Sequence, residues 1–450
     1  MNQCASACSP LLPTGRTTHN RMSLFTPGRS CAPLPAWLGL CLLAWSGAVW
    51  AANPAQETGE APEWPTVITR LKREWHQRPE SPVIRQQLAT AYNNYAVQLA
   101  GNEEWDLAIQ QLEDAIRLEP DNPLYGTNLS NLYLTQAQRE LNQNHLLDAE
   151  RLVEQAIALD TRSAGGYALL GELAYRQQQL PDAIEAWERA VALDPHRQDI
   201  QERLQRAQQE LPVESKFDRL SQAYFDLRYE EALERPLGYD IRNALLAARR
   251  DVGSDFAYWP RHKIVVLVYS AESFRALRSE VPEWVGGQFD GKIRVPIPGA
   301  GVDLATMQQI LYHEYTHAVV SDLANRGGPV WLNEGLAEYE GRTQRQTPLT
   351  LLAQAVTTNR LIPWEELSSA FSPQLPADHV GLAYQQSYSI ATYLIEEYGW
   401  WRVRRILKTL ADGQTWEAAF DAELHLSLAR LQANWKRWLP TILPKANSSP

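Results

Sequence analysis

Cysteine is missing from most of the chain. Cys4, Cys8, Cys31 and Cys41 are the only four in 450 residues, so nothing after position 41 carries a thiol. That excludes a cysteine nucleophile, a zinc finger and a disulfide framework for the folded part. Basic tracts are missing too. The chain has 42 Lys+Arg against 53 Asp+Glu, a net charge of -11. An acidic surface repels phosphate backbones, which argues against a nucleic-acid partner. Methionine is scarce at 3 while tryptophan reaches 16, a bias with no evident physical cause in the sequence. Hydrophobic residues at 44% and charged residues at 21% exclude wholesale disorder. At about 150 residues per domain, the length allows two or three domains.

The N-terminus has the pattern of an export signal. Arg16, Arg21 and Arg29 precede an uncharged apolar run over 36–50, which ends in Val49-Trp50-Ala51 with small residues where a signal peptidase reads. Met22 is an alternative start. An uncleaved membrane anchor is the competing reading, although so short an apolar run is marginal for a span. Leu40 before Cys41 argues against a lipoprotein signal. Cleavage after residue 51 removes three arginines and no acids, taking the charge from -11 to -14. The expected location is periplasmic or extracellular, where a thiol-free chain is at home.

A repeat follows. Ala-Ile-Arg-Leu-Glu-Pro-Asp at 115–121, Ala-Ile-Ala-Leu-Asp-Thr at 156–161 and Ala-Val-Ala-Leu-Asp-Pro at 190–195 share one ending. Leu159 to Leu193 is 34 residues, and Leu118 to Leu159 is 41, a seven-residue insertion. Ala108, Leu112 and Ala115, then Ala149, Val153 and Ala156, then Ala183, Trp187 and Ala190 take equivalent positions on the second helix of each copy. Gly171 stands where the first helix needs a small residue. This 34-residue period of paired helices resembles the tetratricopeptide repeat, and such stacks present a groove that binds peptides or proteins.

The second half reads as α+β. Phe225 to Tyr229 alternates like a strand, Glu231 to Arg250 has helical spacing, and residues 263–269 form a β-branched run typical of a buried strand. Residues 289–296 read as a turn and strand, with Pro296 and Pro298 marking an edge or exit. Helices fill the remainder. The C-terminal tryptophans are assigned to core. His76, His145, His196, His262, His379 and His425 are assigned to the surface. The expected divisions are 1–51 signal, 52–81 linker and leading helix, 82–210 repeats, 213–440 catalytic domain and 441–450 tail.

Within residues 310–320, His313, Glu314 and His317 form H-E-x-x-H on an apolar helical stripe. His313 and His317 fall one turn apart on one face, where two imidazoles can reach one Zn²⁺. Glu314 is about 100° around the helix. It is poorly placed as a third ligand but able to take a proton from water acidified by the ion. Glu334 follows His317 by 17 residues, in Trp331-Leu-Asn-Glu-Gly335, after a turn at Gly327-Gly328-Pro329. A second, antiparallel helix could present it. Two histidines and a glutamate leave a coordination position open, as catalytic zinc sites do.

This pair of motifs resembles the gluzincin metallopeptidases, above all the peptidase-MA-like domains often joined to tetratricopeptide repeats. The W-L-N-E-G core is also that of the M1 aminopeptidases. The resemblance implies His313, His317 and Glu334 as zinc ligands and Glu314 as general base. It implies Glu338 as the carboxylate that orients His313. By the M1 helix that supplies an oxyanion donor, it implies Tyr384, with Tyr388 as rival. Two departures stand out. The ligand spacing is shorter than usual in M1. The G-x-M-E-N strand that anchors a free amino terminus is absent, and residues 291–297 take its place, where a strand could pair with an extended peptide. Loss of the amine anchor favours an endopeptidase over an aminopeptidase. The expected function is zinc-dependent peptide hydrolysis, with the repeats recruiting protein substrate or partner. The alternative is an exported adaptor or assembly factor with a non-catalytic peptidase-like domain. No stable membrane insertion is expected.

Overall fold

A computed structural model describes residues 63–231, 235–277, 288–297, 303–325, 327–372 and 374–443. The export segment and the last part of the expected tail lie outside the described residues.

Among the described residues, eight helices come first: α1 (Trp64–Gln77), α2 (Pro82–Gly101), α3 (Trp105–Leu118), α4 (Pro123–Asn142), α5 (Leu146–Leu159), α6 (Ala164–Arg176), α7 (Leu180–Leu193) and α8 (Gln198–Glu214). Ser81, Asn122 and Ser163 accept first-turn backbone N–H groups at the starts of α2, α4 and α6. Pro82 and Pro123 open α2 and α4, where the missing N–H costs nothing. Helices α2–α3, α4–α5 and α6–α7 pack as pairs. The seven-residue insertion is helical: α4 has 20 residues and α6 has 13. The repeat alanines, with Leu112, Val153 and Trp187, are buried. Trp187 lies over Gly171, where a Cβ would stand 2.4 Å from the indole.

A five-stranded sheet follows. Its strands are β1 (Asp218–Ser221), β2 (Phe225–Tyr229), β3 (Ile264–Ser270), β4 (Gln288–Phe289) and β5 (Ile293–Ile297), in the order β1-β2-β3-β5-β4. β2, β3 and β5 are parallel, and β1 and β4 pair antiparallel at the two sides. Helix α9 (Arg235–Phe256) links β2 to β3, and α10 (Ala271–Leu277) follows β3. The expectation of strands and then helices therefore holds, with a parallel centre built through helical crossovers. β5 is hydrogen-bonded along one side to β3, and on the other side β4 pairs with it at Ile293 and Arg294. β4 is the outer strand. The proline at 296 is tolerated inside β5 opposite Tyr269.

Strand alternation divides the sheet into two faces. Val266, Val268, Ile293, Val295 and Ile297 join the main core beneath α9 and α11 (Leu304–Leu323). Lys292 and Arg294 point to the other face and are buried there by the end of the repeats. Arg294 donates to the Tyr175 hydroxyl at 2.9 Å and lies 3.7 Å from Glu210. Lys292 Nζ stands 3.6 Å from the centroid of the Tyr175 ring. The Tyr269 hydroxyl donates to Glu214 at 2.5 Å, and Arg228 donates to the Gln178 carbonyl at 3.2 Å. Both faces are thus covered, as a parallel centre requires. Helix α8 runs through the division expected at 210–213, and the repeats occupy the face opposite α11.

The remaining helices are α12 (Val330–Gln344), α13 (Thr350–Thr357), α14 (Trp364–Leu367), α15 (Ala377–Ala411), α16 (Trp416–Leu424) and α17 (Leu428–Trp438). α15 is broken at Gly399, whose φ is 77°. Trp331 packs on Trp364, Trp416 and Phe420, and Trp364 on Trp435. Part of the tryptophan excess is therefore core, as expected, although Trp401 is exposed. His262 departs from its surface assignment. It is half-buried 3.6 Å from Asp322, and burial, then Arg176 and His145, push its pKa down to about 4. Among the described residues, no helix is long and apolar enough to cross a membrane.

Candidate metal centre

Helix α11 begins where Asp303 accepts the backbone N–H groups of Ala305 and Thr306. Tyr312 fastens it to α9 by donating to Asp251 at 2.6 Å. Gly328, at φ 99°, makes the tight turn before Pro329, and α12 starts at once. α12 packs along α11. Gly341 permits the close approach: a Cβ there would lie 3.0 Å from the Gln309 carbonyl and 3.4 Å from the His313 Cβ.

This packing brings the sequence candidates together. His313 Nε2 and His317 Nε2 are 3.1 Å apart. Glu334 Oε2, from α12, lies 3.4 Å from the first and 3.6 Å from the second. A tetrahedral ion with bonds of about 2.0–2.1 Å has ligand atoms about 3.3 Å apart, so these three separations fit one. Glu334 Oε2 and Glu314 Oε2 are buried without a hydrogen-bond partner. Buried carboxylate oxygens left bare are costly unless a cation meets them. His313, Glu314 and His317 offer ligand atoms that all lie within 4.8 Å of one another.

Charge in the site is finely divided. Glu314 is 3% exposed, and burial pushes its pKa up to about 8, with Glu334 and Asp290 adding and His313 opposing. Burial also works to raise Glu334, yet His317 and His313 hold it below the usual carboxylate range. Burial pulls His317 down. For His313 the same desolvation is outweighed by Glu334 and Glu338, which raise it well above the ordinary value. Glu338 Oε1 lies 3.5 Å from His313 Nδ1. Burial opposes its charge, but His313 and Arg342 hold its pKa down to about 2.

The two tyrosine candidates separate. Burial, then the charges of Glu334, Glu338 and Glu314, raise the Tyr384 hydroxyl well above its ordinary pKa. Its ring meets Phe371 edge-on at 4.9 Å. Tyr388, one turn further along α15, instead stacks on Tyr339 at 6.5 Å and carries the Arg342 guanidinium 4.6 Å from its centroid.

Other groups in the site escaped sequence reasoning. Asn333 works to raise the His317 pKa, and Asn333 Oδ1 and His317 Nδ1 are both buried without a hydrogen-bond partner. Arg342 donates to Glu338 at 2.9 Å. The four-residue step from Glu338 to Arg342 was a readable signal for that pair.

Comparison with known proteins agrees with this architecture. Residues 257–441 match the family model described as Peptidase MA superfamily, and residues 164–197, which span α6 and α7, match the tetratricopeptide repeat model. No curated protein matches the chain. Similar solved structures include the first tetratricopeptide domain of Spaghetti (RPAP3) bound to the HSP90 peptide SRMEEVD. It is 22% identical, covering 28% of this chain and 95% of that one, with a TM-score of 0.22. The Arabidopsis OM64 tetratricopeptide domain is 16% identical over 27% of this chain and 96% of its own, with a TM-score of 0.22. The MamA RS-1 ArsTM double mutant is 23% identical over 31% of this chain and 71% of its own, with a TM-score of 0.21. The chain thus carries a tetratricopeptide repeat at 164–197 and, over 257–441, a domain of the Peptidase MA superfamily.

Proposed function

We propose that the chain is an exported zinc-dependent peptidase, cleaving within protein chains, whose repeats recruit the protein substrate or a partner. The observation that carries this reading is the convergence of His313 Nε2, His317 Nε2 and Glu334 Oε2 at 3.1 to 3.6 Å. Those three atoms would hold the ion. When bound, it would supply Lewis acidity to a water and to the substrate carbonyl. Glu314 is next to the donor set with one carboxylate oxygen bare, as a general base needs. It takes a proton from the attacking water and passes it to the leaving amine. The Tyr384 hydroxyl, held protonated, donates to the oxygen on which negative charge develops. Tyr388 is turned to Arg342 and Tyr339 and has no such part. Glu338 orients His313.

The test is metal analysis of the purified mature protein together with digestion of casein. One zinc per chain and casein cleavage, lost in Glu314→Gln with zinc retained, is the expected result. A chain that holds no metal, or a Glu314→Gln variant as active as wild type, overturns the peptidase and leaves the repeat-based adaptor.

A further inference from the structure

We infer that Arg342, seated on the ring of Tyr388, is a positioning residue that locks Glu338 onto His313; this rests on the zinc reading above. The geometry is a chain of contacts running outward from the donor set. His313 turns Nε2 to Glu334 and Nδ1 to Glu338 Oε1, 3.5 Å away. The other oxygen of the same carboxylate, Oε2, accepts from Arg342 Nε at 2.9 Å. Arg342 Nη1 donates to the Thr347 carbonyl at 2.7 Å, just past the end of α12. The guanidinium carbon then lies over the Tyr388 ring, 4.6 Å from its centroid. The Arg342 side chain is 9% exposed, so water competes little for these bonds.

Each contact removes a freedom that the site cannot tolerate. Glu338 has three torsions, and it is close to a site that would hold a divalent cation. Left alone, its Oε2 could swing towards the ion and take the position that must stay open for water. Arg342 occupies Oε2 and leaves only Oε1 for the histidine. A lysine could not do the same, because one ammonium cannot hold Glu338, reach Thr347 and sit over an aromatic ring together. Tyr388 supplies the floor on which the planar cation rests. It comes from α15, the helix that also carries Tyr384, so the orientation of His313 and the placement of Tyr384 share one support.

The experiment measures zinc affinity of the purified full chain by competition with a chelating dye, alongside the melting temperature of the metal-free protein. Arg342→Met is expected to weaken zinc binding by about 10–100-fold, the usual range for partners that orient a ligand. Arg342→Lys is expected to recover only part of that loss. Glu338→Gln should weaken binding to a similar degree, and adding Arg342→Met to it should cost no more, because both act through one carboxylate. Should Arg342→Met fail to fold, Tyr388→Leu decides: weaker zinc binding than Tyr388→Phe supports the inference, and equal binding overturns it. A wild type that binds zinc together with an Arg342→Met variant of equal affinity overturns the inference, even if the variant melts lower. Full additivity with Glu338→Gln overturns it as well. A wild type that binds no zinc overturns the zinc reading, and this inference with it.

Discussion

Gly335 lies against the backbone of α15 so closely that a Cβ there would stand 2.3 Å from the Ser387 carbonyl oxygen and 3.2 Å from the Ala391 Cβ. The contact joins the two helices that matter most. Residue 335 follows Glu334 directly on α12, and Ser387 lies between Tyr384 and Tyr388 on α15. Only hydrogen fits between them, so the last letter of the W-L-N-E-G motif sets how closely α12, which carries Glu334, approaches α15, which carries Tyr384. Gly335→Ala must therefore push α15 outward. A methyl forced into a packed core costs about 1–3 kcal/mol. The expected outcome is a lower melting temperature and a loss of peptidase activity out of proportion to zinc binding, since the histidines stay on α11. A variant that melts and cleaves like wild type sinks this account of the motif.

Zinc should also act as a stabilising ligand of the folded chain. The bare oxygens of Glu314 and Glu334 and the facing imidazoles hold the native site in a state that a cation relieves. At zinc one hundred times its dissociation constant, the gain is about 2.7 kcal/mol. Melting curves with and without a chelator should differ by several degrees in wild type. Glu334→Ala should remove most of the difference while leaving the metal-free melting point within a few degrees of wild type. A zinc-induced rise that survives Glu334→Ala would place the ion elsewhere.

A second buried carboxylate pair lies behind the site. Glu340, 1% exposed on α12, is pushed up to a pKa of about 8 by burial and then by the charge and hydrogen bond of Asp255 on α9. Asp255 is itself raised, first by burial. Between the ordinary value of 4.5 and about 8, the folded chain keeps a proton on Glu340 that the unfolded chain has lost. Stability from this group is therefore full below the unfolded value and falls as pH climbs through the folded one. By pH 7 the loss is at most about 3 kcal/mol. Glu340→Gln removes the titration. It should melt higher than wild type at pH 8, and the advantage should vanish near pH 4. A wild type whose melting point is flat between pH 5 and 8, with no gain from the substitution, contradicts this pairing.

The meeting of the two histidines with Glu314 was legible because it is written at short range. His313, Glu314 and His317 share one helix, and a four-residue step fixes their separation without any knowledge of the fold. Glu334 needed one further assumption, an antiparallel partner helix after Gly328 and Pro329, and the turn residues supported it. Repeat positions were legible for a similar reason, since each alanine recurs at the same offset and packs against its own pair. What escaped reading was set by distant packing. The role of β5 depends on which strands lie beside it, and the sequence of 291–297 holds no sign of β4 or β3. Tyr384 and Tyr388 lie one turn apart on one side of a helix, and their spacing does not tell that Tyr388 packs against Tyr339 and Arg342 while Tyr384 packs against Phe371. The division at 210–213 gives no sign that α8, which packs on α7, also meets the sheet through its last turns, because Glu210 and Glu214 look like surface acids until Arg294 and Tyr269 come from far along the chain to meet them.

That last meeting carries its own prediction. Arg294 is 0% exposed and bonded to Asp290 in the β4–β5 turn and to Tyr175 on α6, with Glu210 on α8 at 3.7 Å. Taking away one side of a buried charge network strands the rest, at about 3–5 kcal/mol. Arg294→Met should accordingly melt far below wild type, and Arg294→Met with Glu210→Gln should recover part of the loss, because one stranded charge is then gone. The same contacts make the third repeat and α8 a layer of the peptidase domain. Calorimetry should show α6 to α17 unfolding in one transition. A fragment beginning at residue 164 should fold, and one beginning at residue 216, which exposes Lys292 and Arg294, should not. Should the shorter fragment fold with the stability of the longer, the repeats are a detachable arm and the sheet stands without them.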